Sequence, residues 1–239
     1  MEPSSGNIVE VTGYIKKKER LVPVGDNIIQ NTCVLESLHP FPGYYGKNFP
    51  DKSQPRSIFF LLREPCSFEE IARKTKRIKQ RFHHDFNASE GKIIISPYKY
   101  DCIRVKYLPS FNFLPDLQKE FQKEDVKFYK AKNIDSKAII KINKVFRVCE
   151  KTEGIYRDAE DDFKCYLEIP DQLDYETFVS ITANIKNNLV DFMFDAALGV
   201  FFRSRTIVDV IRVYDREKNL EKMEKLRNMY LEEIRKLHT

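Results

Sequence analysis

The chain repeats itself. Gly91-Lys92-Ile93-Ile94-Ile95-Ser96 returns as Gly199-Val200-Phe201-Phe202-Arg203-Ser204, an offset of 108 residues, and at the same offset Asp101-Cys102-Ile103-Arg104-Val105 meets Asp209-Val210-Ile211-Arg212-Val213. Two matches on one register constrain the fold more tightly than any single motif, because each copy must close into the same supersecondary unit. After a one-residue slip the register continues upstream, where Ser67-Phe68-Glu69-Glu70 aligns with Asp174-Tyr175-Glu176-Thr177.

Both of those segments open amphipathic helices. Ser67 with Glu70 three places on forms a capping box, followed by an apolar stripe at Phe68, Ile71, Ile78 and Phe82. Asp174 caps the second helix, whose stripe is Phe178, Ile181, Ile185 and Leu189. A strand-like run precedes each helix, Ser57–Leu62 and Phe163–Leu167, and the matched hairpin strands follow. Further upstream, strands over Asn27–Leu38 and Ala138–Cys149 precede Gly-x-Tyr loops at Gly43–Tyr45 and Gly154–Tyr156. Downstream, charged helices run over Pro115–Lys130 and Asn219–Leu237. The pattern predicts an α+β protein of two tandem ββαββα-type repeats, residues 27–132 and 137–238, with mostly antiparallel sheets and helices packed on one face. Residues 1–26 read as an N-terminal extension, a strand and turn added at the edge. The doubled order is similar to that of the tandem repeats in effector-binding domains of multidrug-responsive transcription regulators and in SOUL-type haem proteins, and tandem ferredoxin-like arrangements are compatible with it.

The 239 residues are 42% apolar and 32% charged, which excludes collagen-like and mostly disordered classes and allows one large or two small cores. The net charge of +5 points to no partner by itself. Its distribution is more telling: residues 1–132 hold 23 Lys/Arg against 16 Asp/Glu, residues 133–239 hold 18 against 20. The first half therefore suits an anionic partner better than the second. Five scattered cysteines without a CxxC pair imply neither a disulfide framework nor a zinc module. With no signal-like opening and no apolar span, the expectation is a cytoplasmic protein away from the membrane, without metal or cofactor.

Two sets of residues carry functional expectations. The broken segment from His39 to Gly46 combines prolines, glycines and aromatics, so His39, Tyr44 and Tyr45 are candidate ligand contacts; its structural reading is a rigid turn packed over the sheet. Arg104 and Arg212 lie one residue beyond Ile103 and Ile211 on corresponding strands, where alternation turns them away from the isoleucines' face. They are candidates to read an anionic ligand at the junction of the repeats, or else to pair locally with Asp101 and Asp209. The second set is a basic helix over Glu69–His84 carrying Arg73, Lys76, Arg77 and Arg81, with Tyr98 and Tyr100 as stacking rings. It suits RNA or single-stranded DNA, and equally a solvated helix face.

The expected function is that of a non-enzymatic binding or regulatory protein, monomer or homodimer, whose partner is a small molecule or a protein held in a groove between the repeats. Nucleic-acid binding through the basic first half is the alternative. An enzyme using Cys66 or the carboxylates Glu168 and Asp171 is the third reading. Cys66 precedes a helix N-terminus, where a thiol's pKa can fall, but an inert buried cysteine explains that position as well.

Overall fold

The computed structural model describes residues 7–24, 32–38, 57–82, 86–106, 113–130, 134–189, 194–203, 205–215 and 217–238. They form a mixed α+β protein with antiparallel strand pairing and four helices. Among them no helix is long and apolar enough to cross a membrane. The chain divides into two compact units, Lys17–Asn143 and Met1–Lys16 together with Lys144–Thr239, and the divisions fall inside two long strands, β1 (Ile8–Pro23) and β6 (Ser136–Thr152). This partition separates charge more sharply than a cut at residue 132. The first unit holds 24 Lys/Arg against 15 Asp/Glu, the second 17 against 21. They are called here the basic and the acidic unit.

In the basic unit β2 (Val34–Leu38), β3 (Ile58–Leu61), β4 (Asn87–Ile95) and β5 (Tyr98–Lys106) join the inner parts of β1 and β6 in the antiparallel order β1-β2-β3-β5-β4-β6. Ile103 pairs with Phe60 on one side and Glu90 on the other. Helix α1 (Phe68–Arg81) starts where the capping box predicts, with the Glu70 N–H donating to Ser67 Oγ at 3.2 Å. Ile71 and Ile78 of α1, with Leu117 and Phe121 of α2 (Leu114–Lys123), cover Phe60, Ile103 and Val105 on one sheet face. Leu21, Leu35, Phe59, Ile93 and Ile140 form a second cluster on the other. The helix predicted over Pro115–Lys130 is shorter: Asp125 turns left-handed at φ 58°, the Val126 N–H closes onto the Phe121 carbonyl at 3.0 Å, and Phe128 pairs with Leu62 as extended chain. The strand foreseen over Asn27–Leu38 is β2 from Val34 onward, within the described residues.

The acidic unit adds β7 (Ile155–Asp158), β8 (Lys164–Ile169), β9 (Ala196–Arg203) and β10 (Thr206–Tyr214) in the order β6-β7-β8-β10-β9-β1, again antiparallel. Ile211 pairs with Leu167 and Leu198. Helix α3 (Tyr175–Asn188) begins at Asp174, whose carboxylate accepts the Glu176 and Thr177 N–H groups at 2.9 Å each. The stripe of α4 (Leu220–Lys236) is spent within the chain: Met223, Leu226, Tyr230 and Ile234 are buried with Leu167, Leu198 and Ile211. Tyr230 and Thr182 complete it with a buried hydrogen bond between hydroxyls of 2.9 Å.

The long strands run so close to their neighbours that side chains have no room at two points. A Cβ on Gly13 would lie 2.1 Å from the Val200 carbonyl oxygen, and one on Gly91 2.6 Å from that of Lys141. Backbone, unlike a flexible side chain, cannot yield cheaply. Gly13→Ala and Gly91→Ala are each expected to lower unfolding stability by about 1–3 kcal/mol, measured by urea denaturation. A loss under about 0.5 kcal/mol, the range of indifferent surface changes, would show that these strand contacts relax freely.

Candidate functional site

In the acidic unit strand alternation sends Cys165, Leu167, Ile211 and Val213 toward α3 and α4. Phe146, Tyr156, Tyr166 and Phe201 cluster on the opposite face. Ring centroids lie 5.1 Å apart for Phe146–Phe201, 5.4 Å for Phe146–Tyr166 and 5.2 Å for Tyr166–Phe201. Lys144, Asp158 and Arg212 stand beside these rings. The buried Tyr166 hydroxyl donates to Asp158 Oδ2 at 2.7 Å, and burial with the neighbouring carboxylate holds its phenol well above the ordinary range. Asp158 Oδ1 accepts the Glu160 N–H at 3.0 Å.

Lys144 is half-buried with its ammonium 4.3 Å from the Phe146 ring centre. Among the described residues no carboxylate comes within ion-pair distance of it. Burial pulls its pKa down to about 8; Asp158 opposes the fall, while Lys164 and Arg212 add to it. Arg212, also half-buried, sits in register between Tyr166 and Ala197 and makes neither hydrogen bond nor ion pair with the described residues. Sequence reading missed Lys144, although a signal was there. Over Ala138–Val148 of β6 the residues of one parity are Ala138, Ile140, Ile142, Lys144, Phe146 and Val148, and the lysine interrupts an otherwise apolar stripe.

A second feature of the acidic unit is concave. A pocket of about 360 Å³ is lined by Val9, Val11, Val148 and Phe202 as apolar wall and by Glu10, Glu150, Tyr156 and Arg203 as polar wall. The polar side is braced: Tyr156 donates to Glu168 Oε2 at 2.9 Å, and the Arg203 guanidinium lies 4.3 Å over the Tyr156 ring and 3.5 Å from Glu168. Burial pushes the Tyr156 phenol up to about 12, so it remains a donor at neutral pH. Val9 and Phe202 are 54% and 42% exposed, which leaves the mouth apolar.

His39, Tyr44 and Tyr45 lie outside the described residues. Arg104 and Arg212 fall in different units on equivalent strand positions, Arg104 paired in register with Phe59 and Ser89. Local pairing with the flanking aspartates is not what the arginines do. Asp101 is taken by Lys92 at 2.6 Å, Arg104 Nε donates to Ser57 Oγ at 3.2 Å, and the buried Asp209 is raised in pKa by desolvation. On α1, Arg77 reaches Glu124 at 3.3 Å, and Arg81 reaches Glu120 at 2.9 Å and Glu124 at 2.8 Å, which ties α1 to α2. Arg73 and Lys76 stay exposed. Tyr98, 63% exposed, lies 6.5 Å from Tyr100, whose ring meets Tyr129 at 6.1 Å.

The thiol of Cys66 is pushed up to about 11 by burial and by the Glu70 carboxylate, the reverse of what a helix N-terminus alone would do. Glu168 is held by Tyr156 and Arg203, and Asp171 faces His238 at 3.5 Å on the surface. Compared with family models, curated proteins and solved structures, the chain matches none of them.

Two outcomes follow from these environments. Cys66 is expected to react with a thiol reagent at pH 8 far more slowly than a free thiol of ordinary pKa near 8.5, and a rate equal to that of free cysteine would contradict it. Because the folded state depresses the Lys144 pKa, the unfolded chain holds the extra proton between pH 8 and about 10.5, so Lys144 makes stability rise with pH across that window. Lys144→Met should raise stability at pH 7 by about 1–2 kcal/mol and abolish that rise, read from denaturation midpoints at pH 7, 9 and 10.5.

Proposed function

We propose that this chain is a non-enzymatic binding protein whose ligand is a small amphipathic molecule held in the acidic unit by the pocket at Val9, Val11, Val148, Phe202, Tyr156 and Arg203. The observation that carries the reading is the division of that pocket's wall into an apolar side and a braced polar side, the composition by which small-molecule sites fix orientation while burying area. The immobilised Arg203–Glu168–Tyr156 set supports it further, since polar groups held in advance cost less to order on binding.

The reading includes a duplication. The strand orders β1-β2-β3-β5-β4-β6 and β6-β7-β8-β10-β9-β1 carry counterparts in sequence: Gly91 with Cys102 and Gly199 with Val210 pair alike 108 positions apart, and Phe60 and Leu167 pair alike with Ile103 and Ile211. On this alignment β1 and β6 are themselves counterparts, Ile15 answering to Ile142 and Pro23 to Glu150, 127 positions apart. Arg104 and Arg212 then hold one inherited position, each in its own unit and neither lining the pocket.

The test uses a fluorescent apolar probe, 1-anilinonaphthalene-8-sulfonate, with the native chain. Saturable one-to-one binding is expected, weakened roughly tenfold by Val9→Glu and by Phe202→Ala, both at exposed positions. Binding that is non-saturable, or equal in all three proteins, would overturn the reading.

A second reading, binding of single-stranded nucleic acid by the basic unit, is favoured by the excess of nine positive charges there and by the exposed Tyr98. It predicts anisotropy changes with a labelled oligonucleotide that shrink by orders of magnitude between about 50 and 200 mM salt and weaken in Tyr98→Ala. Absence of binding at 50 mM salt would end it.

A further inference from the structure

Lys144 and Arg212 are an unusual pair of neighbours. Each is half-buried, each lacks a hydrogen bond or ion pair to the described residues, and each acts on the other as a like charge. Withdrawing cations from water without partners is costly, and a chain tolerates it where a counter-charge is supplied from outside. Asp158 acts on Lys144 as an opposite charge from beyond ion-pair distance while accepting from the Tyr166 hydroxyl and the Glu160 N–H, Asp161 is ion-paired to Lys164, and Glu160 is exposed in the turn after β7, so the nearby carboxylate charge is shared between two cations.

The corresponding place in the basic unit shows what satisfaction looks like. Lys17 stands 127 positions before Lys144, and Glu19 on the same strand lies 3.6 Å from its ammonium while also accepting from the Ser37 hydroxyl. In the acidic unit the Glu19 position holds Phe146 and the Ser37 position holds Asp158. The lysine of the acidic unit thus has no carboxylate two residues on along its own strand, and Asp158 of the neighbouring strand stands beyond ion-pair distance. The comparison is one of strand register and holds whether or not the units share an ancestor.

We infer that Lys144 and Arg212 together form a recognition site for an oxyanion group, phosphoryl or carboxylate, on the sheet face opposite α3 and α4. The guanidinium offers a planar fork to two oxygens, and the ammonium a point charge to the same group. The Phe146 ring backs the ammonium and keeps water from replacing the anion. Arrival of the anion restores the charge of Lys144, so binding takes up protons where the amine is otherwise partly neutral. Asp158, Glu160, Lys164, Tyr166 and Arg212 are the charged and titratable groups around it.

The experiment is calorimetric titration of the full chain with inorganic phosphate and, separately, with acetate, at constant ionic strength set by chloride, in two buffers of different ionisation enthalpy at pH 7 and pH 8.5. Expected is binding of one or both anions beyond the chloride control, tighter at pH 7, with net proton uptake at pH 8.5. Phosphate alone would identify a phosphoryl group, acetate alone a carboxylate, and both an oxyanion site of either kind. Arg212→Met and Lys144→Met should each weaken binding roughly tenfold or more, and Lys144→Arg should keep the affinity and lose the proton uptake. Because affinity and proton uptake are read on the unmodified chain, the inference does not depend on how the variants fold. No response to either anion above chloride, binding without proton uptake at pH 8.5, or full affinity in both methionine variants would overturn it, while leaving the pocket reading untouched.

Discussion

A strand buried on both faces admits polar side chains only where something satisfies them, and in each unit the central strands are buried in that way. Helices α1 and α2 cover one face of the basic unit's sheet and α3 and α4 one face of the acidic unit's, while a second apolar cluster occupies the other face in each. With about 1.5–3 kcal/mol from each large apolar side chain buried, this two-sided arrangement supplies most of the driving force. It also makes every buried polar residue conspicuous. Glu90 is 5% exposed and raised in pKa by burial, Asp158 is 5% exposed, and Asp215 is fully buried with Arg157 at 2.8 Å. Their environments say which are structural. Asp215 is ion-paired and its N–H donates to the Phe163 carbonyl at 2.6 Å, an anchor for the end of β10.

The sequence was legible where local chemistry sets structure. Both capping residues, both helix stripes and the matched hairpins arise from contacts within a few tens of residues, and alternation correctly turned Arg104 and Arg212 away from Ile103 and Ile211, which are both fully buried. Less legible was β1, read as part of an N-terminal extension with a strand and turn at the edge, because the charges of Lys16–Arg20 mask its length. The strand carries those charges at half-exposed and exposed positions and takes its order from partners far along the chain, β9 for one end and β2 for the other. The end of α2 was missed because a left-handed Asp125 leaves no periodic trace.

The site was harder to read for a related reason. The basic stripe of α1 looks in sequence like a phosphate track, but Arg77 and Arg81 spend their charge on Glu120 of α2 and on Glu124, which caps it, pairings that span about forty positions. Such exposed pairs add little to stability, yet they fix where those side chains point. The pocket gathers Val9, Val148, Tyr156 and Phe202 from four strands, so no motif holds it. Lys144 differs, since one lysine on the apolar parity of a long strand is visible without coordinates.

Under the proposed duplication the two units have become polar on opposite faces. In the basic unit the change lies under α1: Cys66, Lys74 and Glu90 occupy the positions of Leu173, Ile181 and Leu198, and Lys74 is buried against Glu70 at 2.9 Å while the Asn143 amide donates to Glu90. In the acidic unit the corresponding positions Leu173, Ile181 and Leu198 are apolar, and the polar residues Lys144, Asp158 and Arg212 lie across the sheet from the helices. The two sets are not alike in energy. Those of the basic unit find partners of opposite charge or hydrogen-bonding side chains at short range, so they are explained by the fold that contains them. Among the described residues Lys144 and Arg212 make neither hydrogen bond nor ion pair, and under the proposed oxyanion site a pair of cations held at a cost to stability is explained by what it binds rather than by what it supports.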